Sequence, residues 1–542
     1  TIELEAISAE EQNEDWRLLP QDLDAANTAV SSMRIAGIPV SMERLNDCYV
    51  DFNKRIAKLE KRLTRKAKKK GMDLTFSAAH RPSTIALRQF LYGRKGLGLE
   101  CTVFTDKTKQ PATSAEALMR YASIANPRKD DVPEVSDLLK LSSLAKAVAT
   151  YVLPFARAVR ADGAIHPKFN WGVVRTPRLS ASDPPVHQIP EKADKEVAAG
   201  IKRCFVPREK PCLDPEDWDP RKHGSCFKWD ISGAEMAVRA AMLTKLFCKS
   251  ELTLWDYIRN GKDPHGKTAA LMYDTEDGTY KKGDYERDVV GKISNFSLLY
   301  GGSSYTLQRT LLLKARVFWT DEESALRHGR FFEGYPELAE MYEWDKAFLG
   351  KNGYCQDGYG RRRWIELPAN AKFLGIRFGK SQWRVPRGDR QAWRELDHCF
   401  HVAANTPTQG MSATDNLWML ALCFHGEYVE LRVVPMWEDK GGVLFPEAKN
   451  WQFHEGPGPG GKPFKAWHTN TVHDSGWGDC GPGYVEPVMK VIARRCSALP
   501  FDWRLKADVP YRVDLEVGPD MGNLRDYNDV AKEFGLEPMP VR

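Results

Sequence analysis

Apolar and polar residues alternate with a two-residue period in Phe227-Lys228-Trp229-Asp230-Ile231, so one face of this strand is apolar and the other carries Lys228 and Asp230. Ser232-Gly233-Ala234-Glu235 follows with capping-box spacing, and an apolar helix then runs through Leu243. A second apolar strand ends in Thr471-Val472-His473-Asp474-Ser475. Elsewhere the period is helical. Ile56, Leu59, Leu63 and Ala67 mark the buried stripe of a long helix over residues 44–70. Residues 136–160 form another, ending near Pro154. Residues 201–245 hold a strand followed by a helix, and residues 256–350 are mostly helical with charged faces. Within that last stretch Lys292, Phe296 and Tyr300 are spaced by four. They drift by only about 40° per step, so they line one helix face. Residues 1–20 are acidic and irregular and read as a linker or frayed end. Residues 426–466, rich in Gly, Pro and Trp, look like an inserted loop or small hairpin.

The chain has 542 residues, enough for roughly two to four domains and a large core. Its eleven cysteines are scattered without a Cys-x-x-Cys pair, which supports neither a zinc ribbon nor a disulfide framework and favours a reducing, cytoplasmic setting. No run of about 18 apolar residues occurs, so no membrane span is expected. The chain opens at Thr1 without a signal-peptide pattern, which leaves a missing N-terminal part open. A net charge of +6 is mild, but its distribution is uneven. Lys54, Arg55, Lys58, Lys61, Arg62, Arg65, Lys66, Lys68, Lys69 and Lys70 crowd the 44–70 helix, with Glu60 the acid among them. Such a run is either a solvated face or a track for phosphates.

Each candidate has an ordinary structural reading. Glu235 can be a helix cap and Asp230 a turn residue at a strand end. Lys292, Phe296 and Tyr300 can belong to an amphipathic helix with two core aromatics and a snorkelling lysine. That reading gives no reason for Asn295, or for Gly301-Gly302 directly after the phenol. Two carboxylates that converge can hold two divalent metals, and a lysine, a ring and a phenol on one helix face suit a triphosphate, a base and a sugar. Together they point to nucleotidyl transfer. The run Gly456-Pro457-Gly458-Pro459-Gly460-Gly461-Lys462 fits the spacing of a phosphate loop, but Pro463 replaces the required Ser or Thr and two prolines remove amides.

At these residues the chain resembles the family A DNA polymerases, in order over most of residues 30–525. Arg175-Thr176-Pro177-Arg178-Leu179-Ser180-Ala181-Ser182, closed by Ile189-Pro190, is similar to a Thr-Gly-Arg-Leu-Ser-Ser segment of the family. Asp230 to Glu235 resembles motif A. Lys292-x-x-Asn295-Phe296-x-x-x-Tyr300-Gly301 resembles motif B, and Val472-His473-Asp474 resembles motif C. Phe332-Glu333-x-Tyr335-Pro336, Gly360-Arg361-Arg362-Arg363 and Asn405-Thr406-Pro407-Thr408-Gln409-Gly410 match further signatures.

The resemblance implies an α/β (α+β) right-hand fold: a palm built on an antiparallel sheet, with mainly helical fingers and thumb. The expected division is 1–30 linker or remnant, 31–160 thumb with adjoining palm, 161–245 first palm part, 246–395 fingers, and 396–542 second palm part with the 426–466 insertion. It implies that Asp230, Asp474 and the backbone at Ile231 hold two Mg²⁺ ions, with Mn²⁺ able to substitute. Glu235 is then the steric gate against ribonucleotides. Lys292 binds the triphosphate and can protonate pyrophosphate. Phe296 packs on the sugar and disfavours dideoxynucleotides, Tyr300 stacks near the templating position, and His265 and Arg287 contact phosphates. Arg178, Asn405, Gln409 and His473 meet the minor-groove side of the primer terminus, and Lys58, Lys61 and Arg65 track the duplex. The implied partners are primer-template DNA, deoxynucleoside triphosphates and replication accessory proteins, for a monomer in the cytoplasm (the host's, if phage-encoded).

Departures from the family pattern suggest a divergent phage or mobile-element member. Ser475 stands where an acid usually follows His-Asp, and Asp479 is a candidate replacement. The family's triphosphate arginine lies four residues before the motif B lysine; here that slot is Asp288. Arg287 is one further back, about 140° away on an ideal helix, so either the helix start is irregular or another arginine acts. His401 stands where an arginine is common, Pro177 replaces a glycine, and His187-Gln188 replaces Gln-Asn. The family's proofreading site needs a long upstream domain, and Asp22-Leu23-Asp24 reads as a chance Asp-x-Asp, so no proofreading is expected on this chain. Two other readings stay open. A single-subunit RNA polymerase also carries His-Asp-Ser, although Glu235 opposes it. A catalytically inactive primer-template scaffold is the other.

Overall fold

The structure is a computed structural model that describes residues 18–539, except 102, 106–107, 122–131, 171–172, 174–175, 177, 190–194, 248–252, 426–464, 473, 497–498, 500, 502–508 and 510. The acidic N-terminal stretch 1–17, nearly all of the 426–466 insertion with its glycine-proline run, and Arg175, Pro177, Pro190 and His473 lie outside the described residues.

A five-stranded sheet sits at the centre. Its strands are β1 (Ser225–Ser232), β2 (Ala466–Val472), β3 (Ser475–Cys480), β4 (Arg512–Gly518) and β5 (Arg525–Asp526), in the order β2-β3-β1-β4-β5. Every pairing is antiparallel. The alternation read in the sequence holds: Phe227, Trp229 and Ile231 are buried, while Lys228, Asp230 and Ser232 are partly open. Gly476 on β3 lies directly under the Trp229 indole, and a Cβ there would come within 2.1 Å of the ring. This close approach lets the two strands meet beside a large buried side chain. The apolar face packs against α4 (Ala234–Phe247), α8 (Arg390–His425) and α9 (Val485–Cys496).

The basic helix, α2 (Met42–Lys69), starts at Ser41, whose hydroxyl accepts from the Arg44 amide. It buries Leu45, Cys48, Phe52, Ile56, Leu59, Leu63 and Ala67, which contains the stripe expected from the pattern. Its main partner is α3 (Pro133–Ala147). The helix containing α3 does not stop near Pro154. It continues through a π-helical turn at Val148–Val152 and ends at Ala158. The Leu153 amide bonds to the Val148 carbonyl, five residues back. The wider turn just before Pro154, which has no amide proton to give, lets the helix proceed. This stretch, Pro133–Ala158, is long and apolar enough by length and composition to cross a membrane, contrary to the expectation of no such span. It is instead a core helix of its own unit: Lys66 pairs with Glu134 at 2.9 Å, Arg62 pairs with Asp137, and Leu138, Leu141 and Leu144 face α2 and its neighbours.

Between β1 and α8 the chain is mainly helical, including α5 (Pro264–Tyr273), α6 (Lys292–Leu298) and α7 (Pro336–Asn352). A buried ion pair, Arg239 to Asp345 at 2.8 Å, ties α4 to α7.

Candidate active site

Strand register brings the two aspartates together. Asp230 pairs with Ser475 across β3, and the Ile231 amide donates to the Asp474 carbonyl at 3.0 Å. Asp474 lies in the tight link between β2 and β3, where Val472 and Ser475 pair. The crowding has an electrostatic signature. Burial, and then the charge of Asp474, push the Asp230 carboxyl up to about 7, against the pull of Lys228 and Lys292. Asp474 is also raised, by burial and then by Glu235. These are hard oxygen donors whose mutual repulsion a divalent cation would relieve, so the donor set fits magnesium-type ions. No group of three His, Cys, Asp or Glu able to hold a metal occurs among the described residues. The candidate donors are thus the two carboxylates and the backbone beside them.

Asp479 does not replace the acid missing at Ser475. It pairs with Cys226 in register, four residues along β3, and is buried against Arg208 at 2.9 Å from both Nε and Nη2. The acid beside Asp230 is Asp514, its direct partner on β4. Lys282 reaches Asp514 at 3.4 Å, while Lys228 lies 3.6 Å from Asp230 and 3.3 Å from Glu516. Sequence reasoning missed this group. The signal was available: Arg512, Asp514 and Glu516 alternate with Val513, Leu515 and Val517.

Glu235 is 4% exposed at the start of α4. Its carboxylate accepts from Arg178 Nη2 at 2.6 Å and from the Tyr300 hydroxyl. Tyr300 therefore does not share an open face with Lys292 and Phe296, as the spacing suggested. Helix α6 ends at Leu298, two residues before it, and Tyr300 turns inward to 7% exposure. Gly301 makes that ending possible: its φ is +76°, and the Tyr342 ring lies 2.4 Å from where a Cβ would stand. The Arg239 guanidinium lies 5.9 Å from the centre of the Tyr300 ring. Lys292 and Phe296 remain partly open.

His265 sits in the first turn of α5, behind the Asp263 cap and Pro264 at the first helical position. Asn295 Nδ2 donates to His265 Nδ1 at 2.7 Å, and Thr268 Oγ1 donates to Asn295 Oδ1 at 2.7 Å. An amide donating to Nδ1 leaves the neutral ring's proton on Nε2. This accounts for the asparagine that the amphipathic reading left unexplained. The His265 ring lies 6.4 Å from Phe296.

Arg287 donates to Asp263 at 2.7 and 3.0 Å and to Asp288 at 2.8 Å. Burial works to raise the Asp263 carboxyl, but Arg287 outweighs it and holds the group below its usual range. The helix start is irregular, as one of the two alternatives for this arginine requires. Residues Glu286–Gly291 form a π-helical turn, and the Lys292 amide bonds to the Arg287 carbonyl. The widened turn makes the angle between Arg287 and Lys292 smaller than on an ideal helix.

Asn405 and Gln409, four apart on α8, are both half-buried. The Asn405 Oδ1 is shut off from solvent with no partner among the described residues. Arg363 donates to Thr406 Oγ1 at 2.6 Å and Arg361 to the Gly410 carbonyl at 3.0 Å, so two of the three consecutive arginines brace this part of α8 around Pro407. His401 Nδ1 lies 3.2 Å from the Tyr300 carbonyl. On α2 the basic residues divide. Arg55, Arg62 and Lys66 form ion pairs, whereas Lys58, Lys61 and Arg65 are exposed and make none among the described residues.

Comparison with known proteins gives a consistent set of likenesses. The family model described as DNA polymerase family A matches residues 42–427. The chain is 28% identical over 283 residues to a thermostable DNA polymerase I of Thermus thermophilus, which covers 52% of this chain and 29% of the relative. It is 26% identical over 380 residues to DNA polymerase I of Streptococcus pneumoniae, covering 69% of this chain and 38% of the relative. The match thus spans about a third of the length of these curated relatives. Among solved structures, the POL domain of Pol1 from M. smegmatis, in complex with DNA primer-template and dNTP, superposes with a TM-score of 0.65 at 19% identity. The likeness covers 92% of this chain and 70% of that one. The fold is that of a polymerase domain.

Proposed function

On the premise that this chain belongs to DNA polymerase family A, we propose that it is a template-directed DNA polymerase that adds deoxynucleotides to a primer 3′-hydroxyl. The observation that carries this reading is the bond from the Ile231 amide to the Asp474 carbonyl, beside which two carboxylates repel each other. Asp230, Asp474 and the Ile231 backbone would hold two Mg²⁺ ions. When bound, these would supply activation of the 3′-hydroxyl and neutralisation of the leaving pyrophosphate, with Mn²⁺ able to substitute.

The remaining roles belong to the protein. Lys292 presents its ammonium to the triphosphate, and Arg287, held by Asp263, contacts phosphate. Asn295 fixes the His265 tautomer that offers a proton donor to phosphate. Glu235, clamped by Arg178 and Tyr300, is a rigid acid suited to crowd a ribose 2′-hydroxyl. Phe296 packs on the sugar. Arg178, Asn405, Gln409 and His473 make the contact with the primer terminus. Lys58, Lys61 and Arg65 follow the duplex phosphates.

In this reading nucleotide addition runs without proofreading on this chain, whose motifs above all belong to nucleotide addition. The enzyme is a monomer of phage type, working with replication accessory proteins in a host cytoplasm; the departures at Ser475 and Asp288 support its divergence. Primer extension with each deoxynucleotide and ribonucleotide, with and without Mg²⁺, tests the reading. Incorporation of deoxynucleotides that needs the metal and fails for Asp230→Asn, with primer-template affinity kept within a few-fold, is the expected result. Equal use of ribonucleotides would favour the RNA polymerase reading, and binding without any incorporation the inactive scaffold.

A further inference from the structure

Residues 372–394 carry seven basic residues (Lys372, Arg377, Lys380, Arg384, Arg387, Arg390 and Arg394) and one acid, Asp389. Their net charge of +6 equals that of the whole chain. All seven are exposed, and none forms an ion pair among the described residues. Four of them sit on an antiparallel hairpin made by Lys372–Arg377 and Lys380–Arg384. Its register sets Lys372 directly opposite Arg384 and Arg377 directly opposite Lys380. Like charges facing each other across a ladder destabilise it, and here two such pairs stand at the two ends of one hairpin.

The other face explains how the hairpin is held. Phe373 packs on Gly350 of α7, where a Cβ would lie 2.4 Å from its ring. Trp383 lies 5.1 Å from both Phe373 and Phe400 of α8. The Ser381 amide and hydroxyl donate to Glu343 of α7 at 2.9 and 2.8 Å. The hairpin is therefore anchored on one face and basic on the other. At its tip, Phe378 is 90% exposed with a φ of +51°, followed by Gly379 at +72°. A two-residue loop of this kind favours Asn or Gly at both positions. A bulky ring in the left-handed region costs stability and gains nothing from burial here.

We propose that this hairpin binds single-stranded DNA, the unpaired template running on from the primer terminus. The proposal rests on the polymerase reading for the identity of the strand. Phosphates between the facing cations would relieve both repulsive pairs, and the open face of Phe378 offers a stacking platform that only unpaired bases can use. Location agrees: Phe400, which seats the hairpin, is five residues before Asn405, about 8 Å along the axis of α8. A strand leaving Asn405 and Gln409 has the hairpin base within a few nucleotides.

The test measures fluorescence anisotropy of a labelled primer-template with either a blunt end or a twelve-nucleotide 5′ template overhang, without nucleotides. The intact protein is expected to bind the overhang substrate at least fivefold tighter. The variant Lys372→Gln/Arg377→Gln/Lys380→Gln/Arg384→Gln is expected to lose that preference while blunt-end affinity stays within twofold. Phe378→Asn, a residue suited to the loop, is expected to lose at least twofold of the preference with an unchanged or higher unfolding temperature. A preference retained by the quadruple variant overturns the proposal, and so does an equal loss on blunt duplex. Primer extension on the overhang substrate, run in parallel, separates the two readings: absent extension with the overhang binding preference intact sinks the polymerase reading alone, and normal extension with no overhang preference in binding sinks the hairpin's role alone.

Discussion

Asp514 stands directly across the sheet from Asp230, on the strand opposite the one that carries Ser475. Paired residues of an antiparallel ladder share a face, with Cβ atoms about 5 Å apart, so the charge of Asp514 bears on Asp230 and helps to raise it. Asp514→Asn is therefore expected to ease ionisation of Asp230 and move the acid limb of the activity profile to lower pH by a few tenths of a unit. Steady-state incorporation between pH 5.5 and 8 measures this; an unmoved limb removes Asp514 from the site.

Asp230 is expected to make the metal-free protein less stable at neutral pH. Its carboxyl is raised in the fold, to about 7 from an ordinary 3.8, so the folded state holds a proton that the unfolded state has given up. The corresponding stability is complete below pH 3.8 and is lost as pH rises through 7. With chelator present, Asp230→Asn is expected to unfold about 2–4 °C above the parent at pH 7.5, and the gap is expected to shrink toward pH 4. Added Mg²⁺ is expected to raise the parent's midpoint more than the variant's. Thermal melts over that pH range that show no gap would refute the strain.

Tyr300 holds Glu235, the acid proposed to crowd the sugar. Tyr300→Phe keeps the ring and removes the hydroxyl that bonds to Glu235, leaving Arg178 as the remaining clamp. Discrimination against ribonucleotides is expected to fall by about tenfold, the scale of one hydrogen bond to a charged group. The ratio of kcat/KM for matched deoxy- and ribonucleotides reads it directly.

The basic helix makes a prediction in two halves. Reversing Lys58, Lys61 and Arg65 is expected to weaken duplex binding and reduce its salt slope by about 1–3, with the unfolding midpoint unchanged. Arg62 and Lys66, which pair with Asp137 and Glu134, are expected to behave the opposite way, changing stability more than affinity. Filter binding at several salt concentrations, beside thermal melts, separates the two sets.

Local patterns made much of this legible. The period-two strand around Asp230 and the apolar stripe of α2 stand in the structure as the residues implied. Asp514 was hidden because strand pairing between residues nearly 300 apart leaves no mark on either segment alone. The inward turn of Tyr300 was hidden for a related reason: a spacing of four assumes that the helix continues, and Gly301 ends it. Asp479 looked available by proximity in sequence, but each residue along a strand moves the side chain to a new row. Four rows away, Arg208 had claimed it.

The π-helical turn before Lys292 has a consequence for how this molecule can change. It works as a slip joint. The Asp263–Arg287 pair on one side and α6 on the other keep their phase although the connecting backbone carries one residue more than a regular helix would allow. One residue can therefore be lost at Glu286–Gly291, restoring a regular helix, without turning Phe296 away from its neighbours, whereas the same deletion one turn later would rotate the whole downstream face by about 100°.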